Sequence, residues 1–159
     1  MQAKRVSHEY EQINHGPADR VFRLLCPVLE ADWVPGWRYR LIYSKSGFAE
    51  LGCVFTTPNE DASETTWVVM EYDPAAFTIG FVWVNPNLVT AQIEIRLDAK
   101  SSDETIARIR YTYTGLSERG NAEIDRYDEE WFRIKMQSWE AAINHYLETG
   151  KKIDSADWE

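Results

Sequence analysis

Two acidic residues stand at places in this 159-residue sequence where a carboxylate would do chemistry. Glu71 shares a strand-like alternation with Trp67 and Val69, and Asp128 falls on the apolar stripe of a predicted helix. A carboxyl group buried in apolar surroundings has a raised pKa, and proteins make general acids and bases in this way. Glu71 and Asp128 are therefore weak candidates for catalytic residues. The competing interpretation places each at a pocket rim, in water or beside an arginine.

The other patterns that carry chemistry are absent from the sequence or incomplete. There is no phosphate-binding loop and no GxGxxG dinucleotide pattern. Cys26 and Cys53 lie far apart without CxxC or Cys/His spacing, which argues against a zinc site. His8 begins a zinc-protease pattern, but Gln12 occupies the position of the second histidine, and Ser117 is better explained as a helix N-cap than as a nucleophile. We therefore expect neither a metal nor a cofactor.

The chain is acidic, with 17 Lys and Arg against 26 Asp and Glu and a net charge of −9. Nucleic-acid binding depends on basic side chains that neutralise phosphates, and docking on anionic membranes depends on the same side chains, so both partners are disfavoured. No stretch reaches the roughly 20 apolar residues of a membrane helix, and residues 1–9 lack the apolar run of a signal peptide. Two distant cysteines without a pairing pattern are best explained as buried thiols in the reducing cytoplasm. We therefore expect a cytoplasmic protein without stable membrane insertion.

Seven runs of strand character occur along the chain. Period-two alternation is clear in several of them, for example in residues 89–97 and 107–113. The connections between the later runs are short, which favours antiparallel pairing of neighbours. The predicted strands are 5–13, 37–44, 48–57, 65–72, 77–84, 88–99 and 104–114. We therefore predict one antiparallel sheet.

Helical patterns lie between the first and second strands and near the C-terminal end. Pro27 interrupts the first apolar pattern, which predicts two short helices with a break near Cys26. The second pattern predicts one long helix from about residue 118 or 121 to 147, with Ser117 as N-cap and Gly150 as its stop. Helices on one face of a curved antiparallel sheet make the fold class α+β.

The large share of aromatic residues, 13%, bears on what lies between the helix and the sheet. A helix about 10 Å in diameter covers only a stripe of a wide sheet, so either side chains fill the remaining space or a cavity remains. Ligand cavities have mostly apolar walls with a few polar groups. Arg40 is a further polar candidate, and the loop 33–37 is either an entrance gate or a packed corner. The residues predicted to line a ligand cavity are Trp37, Trp67, Val69, Ile79, Phe81, Trp83, Ile93, Ile95, Ile109, Tyr111, Tyr113, Asp128, Trp131, Phe132, Met136 and Trp139.

Five segments carry a resemblance to a known family. They are EADWVPGW at 30–37, GCVFT at 52–56, WVVMEYD at 67–73, YTGLS at 113–117 and WEAAINHYL at 139–147. Together with the order of elements they resemble the SRPBCC superfamily, also called START-like, Bet v 1-like or helix-grip, which includes polyketide cyclases and lipid-transfer domains.

The resemblance covers about residues 5–150. It implies a single START-like domain over residues 1–150, with a curved sheet of about seven strands wrapped on a long C-terminal helix. It also implies a deep cavity beneath that helix. Residues 151–159 are polar and are expected to form a flexible tail.

These observations predict a protein that binds a small apolar molecule, lipid-like or aromatic, in a cavity between the sheet and the C-terminal helix. Two alternatives stay open. One is an enzyme of the cyclase or dehydrase kind, in which a buried carboxylate and a tyrosine move protons. The other is a protein-interaction module or homodimer, because Val68, Met70, Val82 and Val84 make the outer face of the central strands unusually apolar.

Overall fold

Seven strands form one antiparallel sheet in the computed structural model, which describes residues 1–158. The strands are β1 (Arg5–Asn14), β2 (Arg40–Tyr43), β3 (Val54–Pro58), β4 (Glu64–Asp73), β5 (Thr78–Asn85), β6 (Val89–Ala99) and β7 (Thr105–Gly115). Their order across the sheet is β1-β7-β6-β5-β4-β3-β2. The predicted antiparallel pairing of β2 to β7 is confirmed, and β1 completes the sheet by pairing with β7 over its whole length.

Two of the strands are shorter than the sequence predicts. The predicted strand 48–57 begins only at Val54, because Gly52 has a φ of 83° and belongs to a turn. The predicted strand 37–44 is reduced to β2, which begins at Arg40 after the turn at Gly36, where φ is 68°. Both glycines adopt the left-handed backbone region, which is not an extended conformation, so each strand begins only after its glycine.

Two short helices follow β1, namely α1 (Ala18–Arg23) and α2 (Pro27–Glu30). Pro27 is the first residue of α2, where the missing N–H of proline has no helical partner to lose. Cys26, just before it, has an extended backbone, as a residue that precedes proline prefers. The predicted break near Cys26 is confirmed.

The C-terminal helical region is divided into α3 (Glu118–Ile124) and α4 (Glu129–Thr149), so the prediction of one continuous helix is wrong. Asp128 has an extended backbone, and its Oδ1 accepts a hydrogen bond of 2.8 Å from the N–H of Trp131. An N-cap side chain satisfies a backbone donor that the start of a helix leaves free, so Asp128 begins a second helix.

The predicted N-cap at Ser117 and the predicted stop at Gly150 are confirmed, and α4 ends at Thr149, two residues beyond the predicted end. The Oγ of Ser117 accepts a hydrogen bond of 3.0 Å from the N–H of Gly120 and so caps α3. Gly150 ends α4 in the left-handed region, with a φ of 70°. Its N–H donates to the carbonyl oxygen of Tyr146 at 2.8 Å, and this bond satisfies a carbonyl of the last turn.

The helix α4 is anchored near the β1 edge of the sheet. The hydroxyl of Tyr10 donates to one carboxylate oxygen of Glu140 at 2.8 Å, and the N–H of Ile13 donates to the other at 2.7 Å. The inner face of the sheet, α1, α2 and α4 surround one core, whose largest fully buried side chains are Trp33, Tyr113, Phe55 and Phe132. Aromatic side chains therefore cover much of the sheet that α4 does not reach.

No helix within residues 1–158 is both long and apolar enough to span a membrane.

Replacing Asp128 with alanine is expected to lower the free energy of unfolding by about 1 kcal/mol, because α4 loses the side chain that caps it. Asp128→Asn keeps an acceptor oxygen at the same position and should lose much less. Urea denaturation of the two variants beside the unmodified protein checks this. Equal losses in the two variants would contradict a capping role.

Candidate functional site

An internal cavity of about 40 Å³ lies between the inner face of the sheet and α4. Three of its fifteen lining residues, Gln12, Glu30 and Tyr111, bring polar groups of the kind that orient a ligand. The other twelve form apolar or indole walls, and they are Leu25, Trp33, Trp37, Phe55, Trp67, Phe81, Ile93, Ile95, Ile109, Met136, Trp139 and Ile143. The composition is that of a ligand site, with few polar groups among hydrophobic walls.

The cavity is small for a ligand site. One water molecule needs roughly 10–15 Å³, and a benzene-binding cavity is about 150 Å³. Aromatic rings occupy most of the space: Phe55 stacks on Trp67 with ring centroids 5.3 Å apart, and Phe81 meets the same indole edge to face at 6.1 Å. This cavity beneath α4 is therefore too small for a lipid in the described structure, where the rings of Phe55, Trp67 and Phe81 pack together in its wall.

A surface groove of about 340 Å³ lies next to the cavity, between the loop that precedes β2, the end of β3 and α4. Trp37 and Trp139 line both the groove and the cavity, so their side chains form the wall between the two. The indole N–H of Trp37 donates to the carbonyl oxygen of Pro27 at 2.8 Å. Trp139 is held by ring contacts, with centroids 5.1 Å from Trp33 and 6.3 Å from Trp158. Both wall residues are only half-buried.

Glu30, the last residue of α2, is a buried carboxylic acid in the lining of the cavity. Its side chain is 8% exposed, and burial raises the pKa of its carboxyl group well above the ordinary value. Desolvation is the cause of this shift, and neither a hydrogen bond nor an opposite charge within residues 1–158 counteracts it. A buried acid without a partner is the arrangement in which a carboxyl group stays protonated near neutral pH.

Sequence reasoning missed Glu30 because a charged residue in a four-residue helix before a loop is usually exposed. A signal for its burial was present in the spacing. Glu30 follows the buried Cys26 by four residues and precedes the fully buried Trp33 by three, which places all three on one side of a helical turn.

Tyr111 and Gln12 bring the other polar groups to the cavity. Tyr111, on β7, is buried, and desolvation together with the charge of Glu30 raises the pKa of its hydroxyl. Gln12, on β1, donates from Nε2 to the carbonyl oxygen of Met136 at 3.4 Å. The ammonium group of Lys135 lies 5.3 Å from the centre of the Tyr111 ring, and burial lowers the pKa of this lysine to about 8.

The structure divides the residues that the sequence predicted to line a cavity. Nine of them line it: Trp37, Trp67, Phe81, Ile93, Ile95, Ile109, Tyr111, Met136 and Trp139. Six others pack in the core or at its margin instead: Val69, Ile79, Trp83, Tyr113, Trp131 and Phe132. The sequence analysis missed Gln12, Leu25, Glu30, Trp33, Phe55 and Ile143. Ligand contact by any of these residues stays a prediction.

The prediction of a buried acid at Glu71 is wrong. The sheet register shifts between Val69 and Glu71, since Val69 pairs with Phe81 whereas Glu71 pairs with Gly80. This β-bulge inserts one residue and reverses the alternation beyond it. Glu71 is consequently exposed on the outer face.

Asp128 and Arg40 also lie outside the cavity. Asp128 is the exposed N-cap of α4, so the prediction that it is a buried ligand-binding or catalytic residue is wrong as well. Arg40 is exposed on the edge strand β2, where its guanidinium forms an ion pair of 2.9 Å with Glu64. Polar groups at the cavity therefore come from other positions.

Cys26 and Cys53 are both free and buried, as the sequence predicted. No group of three or more His, Cys, Asp or Glu side chains that could hold a metal ion occurs in the part of the chain that the structure describes. The chemistry available at the cavity is thus that of Glu30, Tyr111 and Gln12.

No protein-family model and no curated protein matches this sequence. Solved structures do match. Norcoclaurine synthase from Thalictrum flavum, in complex with dopamine and hydroxybenzaldehyde, has a TM-score of 0.64 and 15% identity over 94% of this chain and 89% of that one. Ara h 8.0201 has a TM-score of 0.63 and 15% identity over 92% and 99% of the two chains.

An aromatase/cyclase is among the matches too. The Zhui aromatase/cyclase from Streptomyces sp. R1128 has a TM-score of 0.63 and 12% identity over 96% of this chain and 100% of that one. At such low identity these likenesses establish the fold. The chain has the Bet v 1-like helix-grip fold that the sequence predicted, with the seven-stranded sheet and the C-terminal helix in the expected places.

Proposed function

We propose that this chain binds a small apolar ligand, lipid-like or aromatic, between the sheet and α4, and that Trp37 and Trp139 move outward to admit it. The observation that carries the proposal is the shared wall: these two half-buried side chains line both the cavity and the groove. When they swing into the groove, the cavity and the groove merge. The merged space reaches the roughly 300–1,000 Å³ of ordinary ligand pockets.

The energetic balance supports such a rearrangement. A ligand that buries about 200 Å² of apolar surface gains about 5 kcal/mol from the hydrophobic effect. Moving Trp37 breaks its hydrogen bond to the Pro27 carbonyl, at a cost of about 1 kcal/mol. Trp139 is held by ring contacts with Trp33 and Trp158, which a ring of the ligand replaces.

The structural neighbours support the class of ligand. The norcoclaurine synthase structure contains dopamine and hydroxybenzaldehyde, both of which are small aromatic molecules. The cavity of this chain has aromatic walls, with indole and phenyl rings among its lining side chains. A preference for ligands with a ring follows from these walls, because aromatic faces and edges pack best against one another.

Titration with N-phenyl-1-naphthylamine, an uncharged ring compound whose fluorescence rises in apolar surroundings, tests the proposal. We expect saturable binding by the unmodified protein and a loss of affinity of about tenfold or more in Ile93→Phe, whose larger side chain fills the cavity. Ile79→Phe is the matched control, because Ile79 is equally buried on the neighbouring strand but does not line the cavity. Absence of binding, or equal binding by the two variants, would overturn the proposal.

The remaining predictions about partners are independent of this titration. Met70 is 59% exposed and Val84 is 36% exposed on the outer face of the central strands. A homodimer or another protein contact through this face therefore stays a prediction. Light scattering checks whether the protein is a dimer. The cytoplasmic location and the absence of a nucleic-acid partner stay predictions from the cysteines and the charge.

A further inference from the structure

We propose that Glu30 and Tyr111 together donate hydrogen bonds to the carbonyl oxygen of an apolar ketone or aldehyde held in the cavity. This inference rests on the proposed function and adds the chemical group by which the ligand is oriented.

The carboxyl group of Glu30 carries its proton in this site. No Lys, Arg or His is among the cavity-lining residues that the structure describes, and Glu30 and Tyr111 are the two ionisable groups there. On α4, the Glu140 carboxylate is already bound by β1, and the Lys135 ammonium lies over the Tyr111 ring. An ionised carboxylate without a partner is costly in such surroundings, so the neutral acid, which has an O–H donor, is favoured.

The hydroxyl group of Tyr111 is a second hydrogen-bond donor in the lining of the same cavity. Tyr111 is buried on the inner face of β7, and its side chain lines the cavity. Glu30 belongs to the lining of the same cavity. Both residues therefore line a cavity in which Gln12 is the one other polar side chain among the described lining residues.

A ligand with a carbonyl oxygen matches these two donors. A carbonyl oxygen has two lone pairs and no proton, so it accepts from both donors at once. The rest of the ligand must be apolar, because twelve of the fifteen lining residues are hydrocarbon, thioether or indole side chains. Two neutral donors in an apolar site withdraw electron density from a carbonyl group and stabilise negative charge that develops on its oxygen.

Acetophenone labelled with ¹³C at its carbonyl carbon is the probe, and α-methylstyrene, which has a methylene group in place of the oxygen, is the matched control ligand. In the unmodified protein we expect the carbonyl resonance to move downfield on binding, as hydrogen bonding to the oxygen requires. Glu30→Leu and Tyr111→Phe should each weaken acetophenone binding by about tenfold relative to α-methylstyrene. Glu30→Gln should restore part of the loss, since an amide N–H also donates.

Tyr113→Phe controls for the removal of a buried hydroxyl. Tyr113 lies on the same face of β7, and its buried hydroxyl also forms no hydrogen bond in the described part of the chain, but it does not line the cavity. This variant should leave the ratio of the two affinities unchanged. If both compounds bind and neither the resonance nor the ratio changes, the two-donor site is wrong while the proposed function stands. If neither compound binds, both are wrong.

Discussion

Glu30→Gln is expected to raise the free energy of unfolding at neutral pH and to remove a loss of stability that the unmodified protein shows as the pH rises. The pKa of Glu30 is raised well above 4.5 by burial in the folded state, whereas in the unfolded chain the group is in water. Between these two pKa values the folded protein holds a proton that the unfolded chain has released. The folded state therefore loses about 1.4 kcal/mol of stability per pH unit in this window.

The direction of this effect is the reverse of that of most carboxylates. Below the unfolded pKa near 4.5, Glu30 is neutral in both states and costs nothing. Above 4.5 the cost of burying the acid grows until the folded pKa is reached and is then constant. Glutamine has nearly the same shape and no charge at any pH, so the variant should escape this cost.

Urea denaturation from pH 4 to pH 8 measures the difference between the variant and the unmodified protein. The difference is the relevant quantity, because other carboxylates act in the opposite direction. Hydrogen bonds from Ser46 and Ser44, for example, lower the pKa of Glu50 to about 2. Glu71→Gln, which removes an exposed carboxylate of the outer face, is the matched control. A Glu30→Gln difference that stays constant from pH 4 to pH 8 would show that Glu30 is not buried as an acid.

Trp33→Ala is expected to lower the free energy of unfolding by about 3–5 kcal/mol. The Trp33 side chain is completely buried, and its indole N–H donates to the carbonyl oxygen of Leu24 at 2.8 Å. The ring also meets Trp139 edge to face, with centroids 5.1 Å apart. Truncation to alanine removes these contacts and leaves the Leu24 carbonyl without its donor, so both packing and hydrogen bonding are lost.

The same substitution enlarges the cavity, because Trp33 is part of its wall. Free indole should bind in the enlarged space and raise the melting temperature of Trp33→Ala, since a ligand that binds only the folded state stabilises it. Calorimetry with and without indole measures this rescue. Trp33→Leu, which removes fewer atoms, provides the same comparison with a smaller loss of stability.

Trp83→Ala is the control for this experiment. Trp83 is only half-buried, packs against Trp67 and Tyr113, and does not line the cavity. We expect a smaller loss of stability and no rescue by indole. Rescue of the Trp83 variant would mean that indole does not act through the cavity. Failure to rescue either Trp33 variant would mean that the space beneath α4 does not accept a ring.

The strand alternation identifies most of the cavity wall from sequence. Phe81, Ile93 and Ile109 lie on three neighbouring strands, and the period-two pattern places each on the inner face, where the structure has them. The pattern succeeds there because the pairing of these strands is regular. It fails at Glu71, because the bulge in β4 depends on how β4 and β5 pair and not on the local sequence of β4.

The sequence by itself determined the antiparallel sheet, the two short helices and the stop at Gly150, because these depend on local periodicity and on the backbone preferences of proline and glycine. Only the tertiary structure decided how little space remains beneath α4 and which acid faces it. The volume is what is left after rings from distant parts of the chain pack together, and Glu30 lines it together with side chains from β1, β7 and α4. Such contacts form between residues far apart in the chain, so no local pattern encodes them.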